Sequence, residues 1–192
     1  MPDAIGIPIR GRDNQISACQ VRFPSLYKDM RYRWLSTPNF EGGAGSGTPV
    51  HYIWPSDPTR LLLTEGPLKA ETLHTIYPDD CIAAIAGIGN NHEEILNTAG
   101  NLELIICFDQ DTVDSPGWLE VQFHTFKLLE KRLQSGLLDK TFVAKWTSPH
   151  KGIDDAARGG VEIRKTPGRN AHNQLSQIDF SLRRNRFPHR SK

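Results

Sequence analysis

The sequence predicts an α/β fold: a parallel sheet covered by helices on both faces, preceded by a small β-rich subdomain. Two observations carry this prediction. Between Arg60 and Gly160, short runs that are apolar throughout alternate with helical patterns, and a strand apolar on both faces belongs inside a sheet covered on both sides. Ahead of them, the chain is rich in turn formers and short β-like runs.

Taken in order, residues 7–10, a turn at Asp13-Asn14 and residues 16–22 form a predicted hairpin. Residues 41–47 hold four glycines and must be a loop. The apolar run 61–64 stops at Glu65-Gly66, and a helix is predicted over 67–76, with Pro67 suited to its first turn. Residues 81–85 form a second strand that ends near Gly87, and 92–99 a helix. The third strand, 104–108, runs into Asp109-Gln110-Asp111. Leu119, Phe123, Phe126, Leu129 and Leu133 recur at helical spacing and predict a long helix over 118–133. A strand at 141–144 and a helix at 153–158 complete the alternation. The predicted organisation is a β-rich subdomain over 1–57, the α/β domain over 58–162, and a basic tail over 163–192, too polar to be expected to order.

The length of 192 residues suits one α/β domain with a smaller appended piece. No apolar run approaches the roughly 20 residues of a membrane span, and Met1-Pro2-Asp3-Ala4 has neither the basic nor the apolar part of a secretory leader. Cys19, Cys81 and Cys107 match no zinc-ligand spacing. A reduced, cytoplasmic protein is the expectation. The formal net charge of +1 conceals an asymmetry: residues 165–192 hold seven Lys or Arg against Asp179 alone, which leaves the body acidic. A basic tail suits a polyanion, and equally a solvated terminus.

In open parallel sheets, ligands bind beyond the carboxyl ends of the strands. Three acidic groups fall there: Glu65, the pair Asp109 and Asp111, and Asp154 with Asp155. In an extended segment Asp109 and Asp111 point the same way. Hard oxygen donors of this kind suit Mg²⁺. Any single acid fits helix capping as well, Asp111 or Asp114 before the long helix in particular. Gly66 would let backbone approach a phosphate closely. No Gly-x-Ser-x-Gly elbow or Gly-x-x-x-x-Gly-Lys-Ser/Thr loop occurs, which argues against a nucleophile-elbow hydrolase and an ATPase motor within this chain.

Thr64-Glu65-Gly66-Pro67-Leu68-Lys69-Ala70, Ala86-Gly87-Ile88-Gly89-Asn90, Phe108-Asp109-Gln110-Asp111 and Lys151-Gly152-Ile153-Asp154-Asp155 resemble, in order and spacing, the successive motifs of the Toprim domain. Primases, type IA and type II topoisomerases and some nucleases share that domain. The resemblance covers residues 58–160; it places the family's invariant glutamate on Glu65 and its Asp-x-Asp on Asp109 and Asp111. Residues 7–10 and 16–22, with Arg33-Trp34-Leu35-Ser36-Thr37-Pro38, are similar to the segment that precedes Toprim in DnaG-type primases. Lys69 stands where those enzymes carry an aspartate, and Gly152 where they carry the first acid of the last motif. The Lys69 form is similar to Toprim modules of plasmid and phage primase-helicases.

The resemblance implies a Rossmann-like Toprim sheet and a catalytic centre of Glu65, Asp109 and Asp111. It implies Mg²⁺ or Mn²⁺ held by Glu65, Asp109, Asp111 and Asp154. Gly66, Lys69 and Lys151 would lie beside phosphates, and Arg22 and Arg33 would face template or nucleotide; on the residues alone, the two arginines equally fit a solvated face. The activity implied is nucleotidyl transfer in DNA replication, as primer synthesis on single-stranded DNA. The partners implied are that DNA, nucleoside triphosphates and a replicative helicase. A metal-dependent nuclease and a weakly catalytic nucleic-acid-binding module are the alternatives.

Overall fold

The computed structural model describes residues 3–27, 29–36, 41, 45–113, 115–147 and 149–181. The amino-terminal strands β1 (Ile5–Arg10), β2 (Ile16–Tyr27) and β3 (Met30–Trp34) form an antiparallel sheet in the order β1-β2-β3. The predicted hairpin is its first pair, turned through Asn14 at φ 62°. Of the predicted glycine loop, residues 42–44 lie outside the described residues.

The second sheet contains β4 (His51–Ile53), β5 (Arg60–Glu65), β6 (Cys81–Ile85), β7 (Glu103–Ile106), β8 (Thr141–Lys145) and β9 (Arg164–Pro167). Their order is β4-β6-β5-β7-β8-β9; the four inner strands are parallel, and the two edges run antiparallel to them. The helices are α1 (Pro67–Ile76), α2 (His92–Ala99), α3 (Pro116–Gln134), α4 (Ile153–Arg158) and α5 (Gly168–Leu175).

Alternation along the inner strands divides the core in two. Leu61, Leu63, Ala83, Ile85, Leu104 and Ile106 pack with α2, α3 and α5 on one face. Leu62, Ile82, Ala84, Ile105 and Cys107 pack with α1 and α4 on the other. Both faces of these strands are therefore buried, the physical reason their sequences are apolar throughout. Burial pushes the Cys81 thiol up to about 12 and the Cys107 thiol upward as well, so both stay protonated and inert.

The carboxyl-terminal expectation needs correcting: residues 164–175 are not a tail but the edge strand β9 and helix α5. Ala171 and Leu175 are buried, and Ile178 packs on the same core. Phe180 meets Phe126 and Phe123 on α3 at ring-centroid separations of 5.6 and 5.5 Å. Gly168 is required by proximity, because a Cβ there would come within 2.7 Å of the Leu138 and Thr141 carbonyl oxygens. Two of the basic residues expected to await a polyanion pair with the body instead: Lys165 with Glu103 at 2.7 Å, and Arg169 with Asp139 at 3.1 Å. Residues 182–192, with the remaining basic side chains, lie outside the described residues. Among the described residues no helix is long and apolar enough to cross a membrane.

Candidate functional site

Local chemistry at the end of β5 brings the carboxylates together. Glu65 is the last residue of the strand, and Gly66 turns the chain at φ 77°, a conformation that a side chain would strain. The Gly66 N–H donates to the Ile85 carbonyl at the end of β6 (3.0 Å). Helix α1 starts at once, which sets Lys69 in its first turn. One strand over, the chain leaving β7 passes beside Glu65, and the Asp109 N–H donates to Glu65 Oε1 (3.3 Å). Burial first, and the Asp109 carboxylate second, push the Glu65 carboxyl above the usual range.

Gln110 holds the Asp-x-Asp segment in place from the middle. Its N–H donates to the Lys151 carbonyl (2.8 Å). Its amide faces the Trp146 backbone, donating to the carbonyl (3.0 Å) and accepting from the N–H (2.9 Å) when its oxygen and nitrogen are oriented to satisfy both. The sequence reading passed over Gln110; its position between two acids was the available signal.

Each aspartate carries a lysine. Lys69 Nζ contacts Asp109 Oδ1, a pair with only 25 and 17% of the side chains exposed. Lys151 Nζ lies 2.6 Å from Asp111 Oδ1, but Lys151 is 61% exposed. The hydrogen bond to Asp111 holds the Lys151 ammonium above its ordinary range. Asp111 does not cap α3: the cap is Ser115, whose Oγ accepts the Trp118 N–H (3.0 Å), while Asp114 lies outside the described residues. Asp154 stands behind this group with a buried Oδ1 that has no hydrogen-bond partner among the described residues. Gly152 explains itself sterically, since a Cβ there would collide with that oxygen and stand 3.5 Å from Lys69 Cε.

A divalent ion fits these residues in kind. The donors are hard carboxylate oxygens, and an unpartnered Asp154 oxygen is costly where it is buried. As the side chains stand, no three His, Cys, Asp or Glu among the described residues are gathered around one point to hold an ion. Lys69 and Lys151 occupy the aspartates instead.

The two sheets face each other across a groove of about 410 Å³. Gln20, Tyr32 and Trp34 line one side; Glu65, Lys69 and Gly87 line the other. Strand register separates the two expected arginines. Arg22 pairs with Tyr32, and Val21 pairs with Arg33, so Arg22 shares the groove-side face with Tyr32 and Trp34 while Arg33 projects from the opposite face, exposed. Asn90 and Asn91 serve the loop: their amides donate to the Ala86 (2.7 Å) and Thr48 (2.8 Å) carbonyls.

A sheet of this order, covered by helices on both faces and with an antiparallel subdomain above its carboxyl rim, matches solved primase cores. The DnaG catalytic core superposes with a TM-score of 0.60 at 18% identity, covering 95% of this chain and 61% of that one. The chain has the fold of a primase-type Toprim domain. The DnaG primase catalytic domain bound to single-stranded DNA gives a TM-score of 0.59 at 18% identity, covering 93 and 57%. The primase fragment of the bacteriophage T7 primase-helicase gives 0.51 at 16% identity, covering 89 and 59%. The chain thus spans about three fifths of the length of those structures. No family model and no curated protein matches it. The primase-type fold puts Glu65, Asp109 and Asp111 on the strand-end rim, where an open α/β sheet receives its ligands.

Proposed function

We propose that the chain carries out metal-dependent nucleotidyl transfer in DNA replication, joining nucleoside triphosphates into short primers on single-stranded DNA. The observation that carries this reading is the contact of Glu65 with Asp109 on the rim beside the groove. Glu65, Asp109 and Asp111 would hold Mg²⁺ or Mn²⁺, with Asp154 in the same acidic wall. The bound ion would neutralise the triphosphate and stabilise the attacking and leaving oxygens of an in-line displacement.

The chain's own residues supply the rest. As the alternative to binding the ion, Glu65, with its carboxyl pushed up by burial, is suited to accept the proton of the attacking hydroxyl. Lys151, exposed and easily detached from Asp111, can turn its ammonium to a phosphate. Gly66 leaves open space beside its Cα, so a phosphate can come close to the backbone. Tyr32 and Trp34 offer aromatic faces on which the bases of a single strand can stack. The neighbour solved with single-stranded DNA and the phage primase-helicase support that template and a helicase as partners. The lysine on each aspartate favours a second reading, a module that binds single strands and turns over weakly.

Incubation with single-stranded DNA, labelled nucleoside triphosphates and Mn²⁺ tests the proposal. The wild-type chain should yield short labelled products, and Glu65→Gln should reduce them by about 100-fold or more. Strand binding that falls steeply with salt, without product from either protein, would establish the second reading.

A further inference from the structure

We infer that Lys69 is a resident counter-ion that moves from Asp109 to Asp154 when a divalent cation enters, making Asp154 the landing place of the lysine rather than a ligand of the metal. The inference rests on the proposed metal dependence and concerns how the site accepts its ion.

Lys69 Nζ holds Asp109 Oδ1 in a pair little exposed to solvent. An ammonium on Oδ1 opposes a cation on the same carboxylate, because two cations side by side repel. An ion binds Asp109 more tightly once the ammonium has moved away, and an ammonium without a partner in a part-buried site is costly. Lys151, 61% exposed, has an easy exit into water; Lys69, 25% exposed, has a narrower one.

A destination for Lys69 is already built. Asp154 Oδ1 is buried and lacks a hydrogen-bond partner among the described residues. The gap left by the missing Gly152 side chain borders both that oxygen and Lys69 Cε. A lysine stem swings readily about its four rotatable bonds, and Gly152 keeps the lane clear. The two arrangements exchange one satisfied carboxylate for another. With lysine on Asp109, Asp154 Oδ1 has no partner among the described residues; with an ion on Asp109, Lys69 satisfies it. Ion binding and lysine relocation are then two sides of one coupling, and removing either partner must change the ion's affinity.

The test is Mn²⁺ binding to the full chain, followed by the electron paramagnetic resonance of the free ion, without nucleotide or DNA. Lys69→Met should bind Mn²⁺ about tenfold more tightly than wild type, a change of about 1.4 kcal/mol, and Lys69→Gln should do the same, which guards against a folding defect in either one. Asp154→Asn should weaken binding in the wild-type background and leave it unchanged in the Lys69→Met background. Equal weakening in both backgrounds would make Asp154 a metal ligand and overturn the inference. Unchanged or weaker binding in both Lys69 variants would overturn it too, as would no binding by any of the proteins. Primer synthesis reports separately on the proposed activity: a chain that shows the predicted Mn²⁺ pattern yet makes no product keeps the lysine relocation and loses the primase reading.

Discussion

At the amino ends of β7 and β8 a buried guanidinium meets only neutral oxygens, whereas at the carboxyl ends of β5 and β7 three carboxylates meet two lysines at the edge of solvent. Arg132 is 1% exposed. Its Nε donates to Thr141 Oγ1 (2.9 Å), and its terminal nitrogens donate to the Gly100 (2.8 Å) and Leu102 (3.2 Å) carbonyls. One side chain of α3 thereby fastens the turn after α2 to the starts of two strands. Burial lowers the affinity of this guanidinium for its proton, without bringing it near neutrality. Each of its three nitrogens donates to an oxygen of the fold, so the charge is structural. The opposite rim keeps its charges exchangeable: an exposed lysine on Asp111, a part-buried one on Asp109 and an unpartnered oxygen on Asp154. One sheet thus divides its polar groups: neutral partners hold the fold together at one end, and replaceable ionic partners leave room for a ligand at the other.

The sharpest way to break this contrast is Arg132→Leu. It removes the three hydrogen bonds of a buried guanidinium, leaving the Gly100 and Leu102 carbonyls without their donor, and should cost about 3 kcal/mol in urea unfolding. A loss under about 1 kcal/mol would mean that the buried charge contributes no net stability. Next in size, Leu175→Ala should cost about 2 kcal/mol by opening a cavity under α5. If that loss vanished, the carboxyl-terminal helix would not belong to the cooperative core. The smallest effect concerns pH. Burial holds His51 and His92 below the ordinary histidine range, so each binds a proton more readily unfolded than folded. Their stabilisation is full above about pH 6.5 and falls as pH drops below it. The melting temperature should therefore be lower at pH 5.5 than at 7.5. Replacing His92, whose Nε2 lies 2.6 Å from the Ile88 carbonyl, with Asn should flatten that dependence.

The elements buried on both faces were the legible ones. The inner strands fall where unbroken apolar runs put them, and helices α1, α2 and α4 fill the intervals between and after them. The edges were not legible, for a common reason. β4 has three residues, and β9 is Arg-Lys-Thr-Pro, exposed along most of its length, so neither carries an apolar signature. Helix α5 hides its stripe of Ala171 and Leu175 among polar residues. At the site, strand-end acids were visible because a parallel sheet must present its strand ends on one rim. The lysine contacts were not, since Lys69 and Asp109 lie 40 positions apart and their meeting depends on a side-chain rotamer. The opposite facing of Arg22 and Arg33 depends on strand register, which spacing alone does not set.

The most direct test of the account sets one substitution from each end of the sheet side by side, Asp109→Asn and Arg132→Leu, with primer synthesis measured at a temperature where both remain folded. Asp109→Asn should lose about 100-fold or more of the activity with its unfolding free energy within about 1 kcal/mol of wild type. Arg132→Leu should keep its activity while losing stability. Full primer synthesis by a folded Asp109→Asn chain would contradict the account.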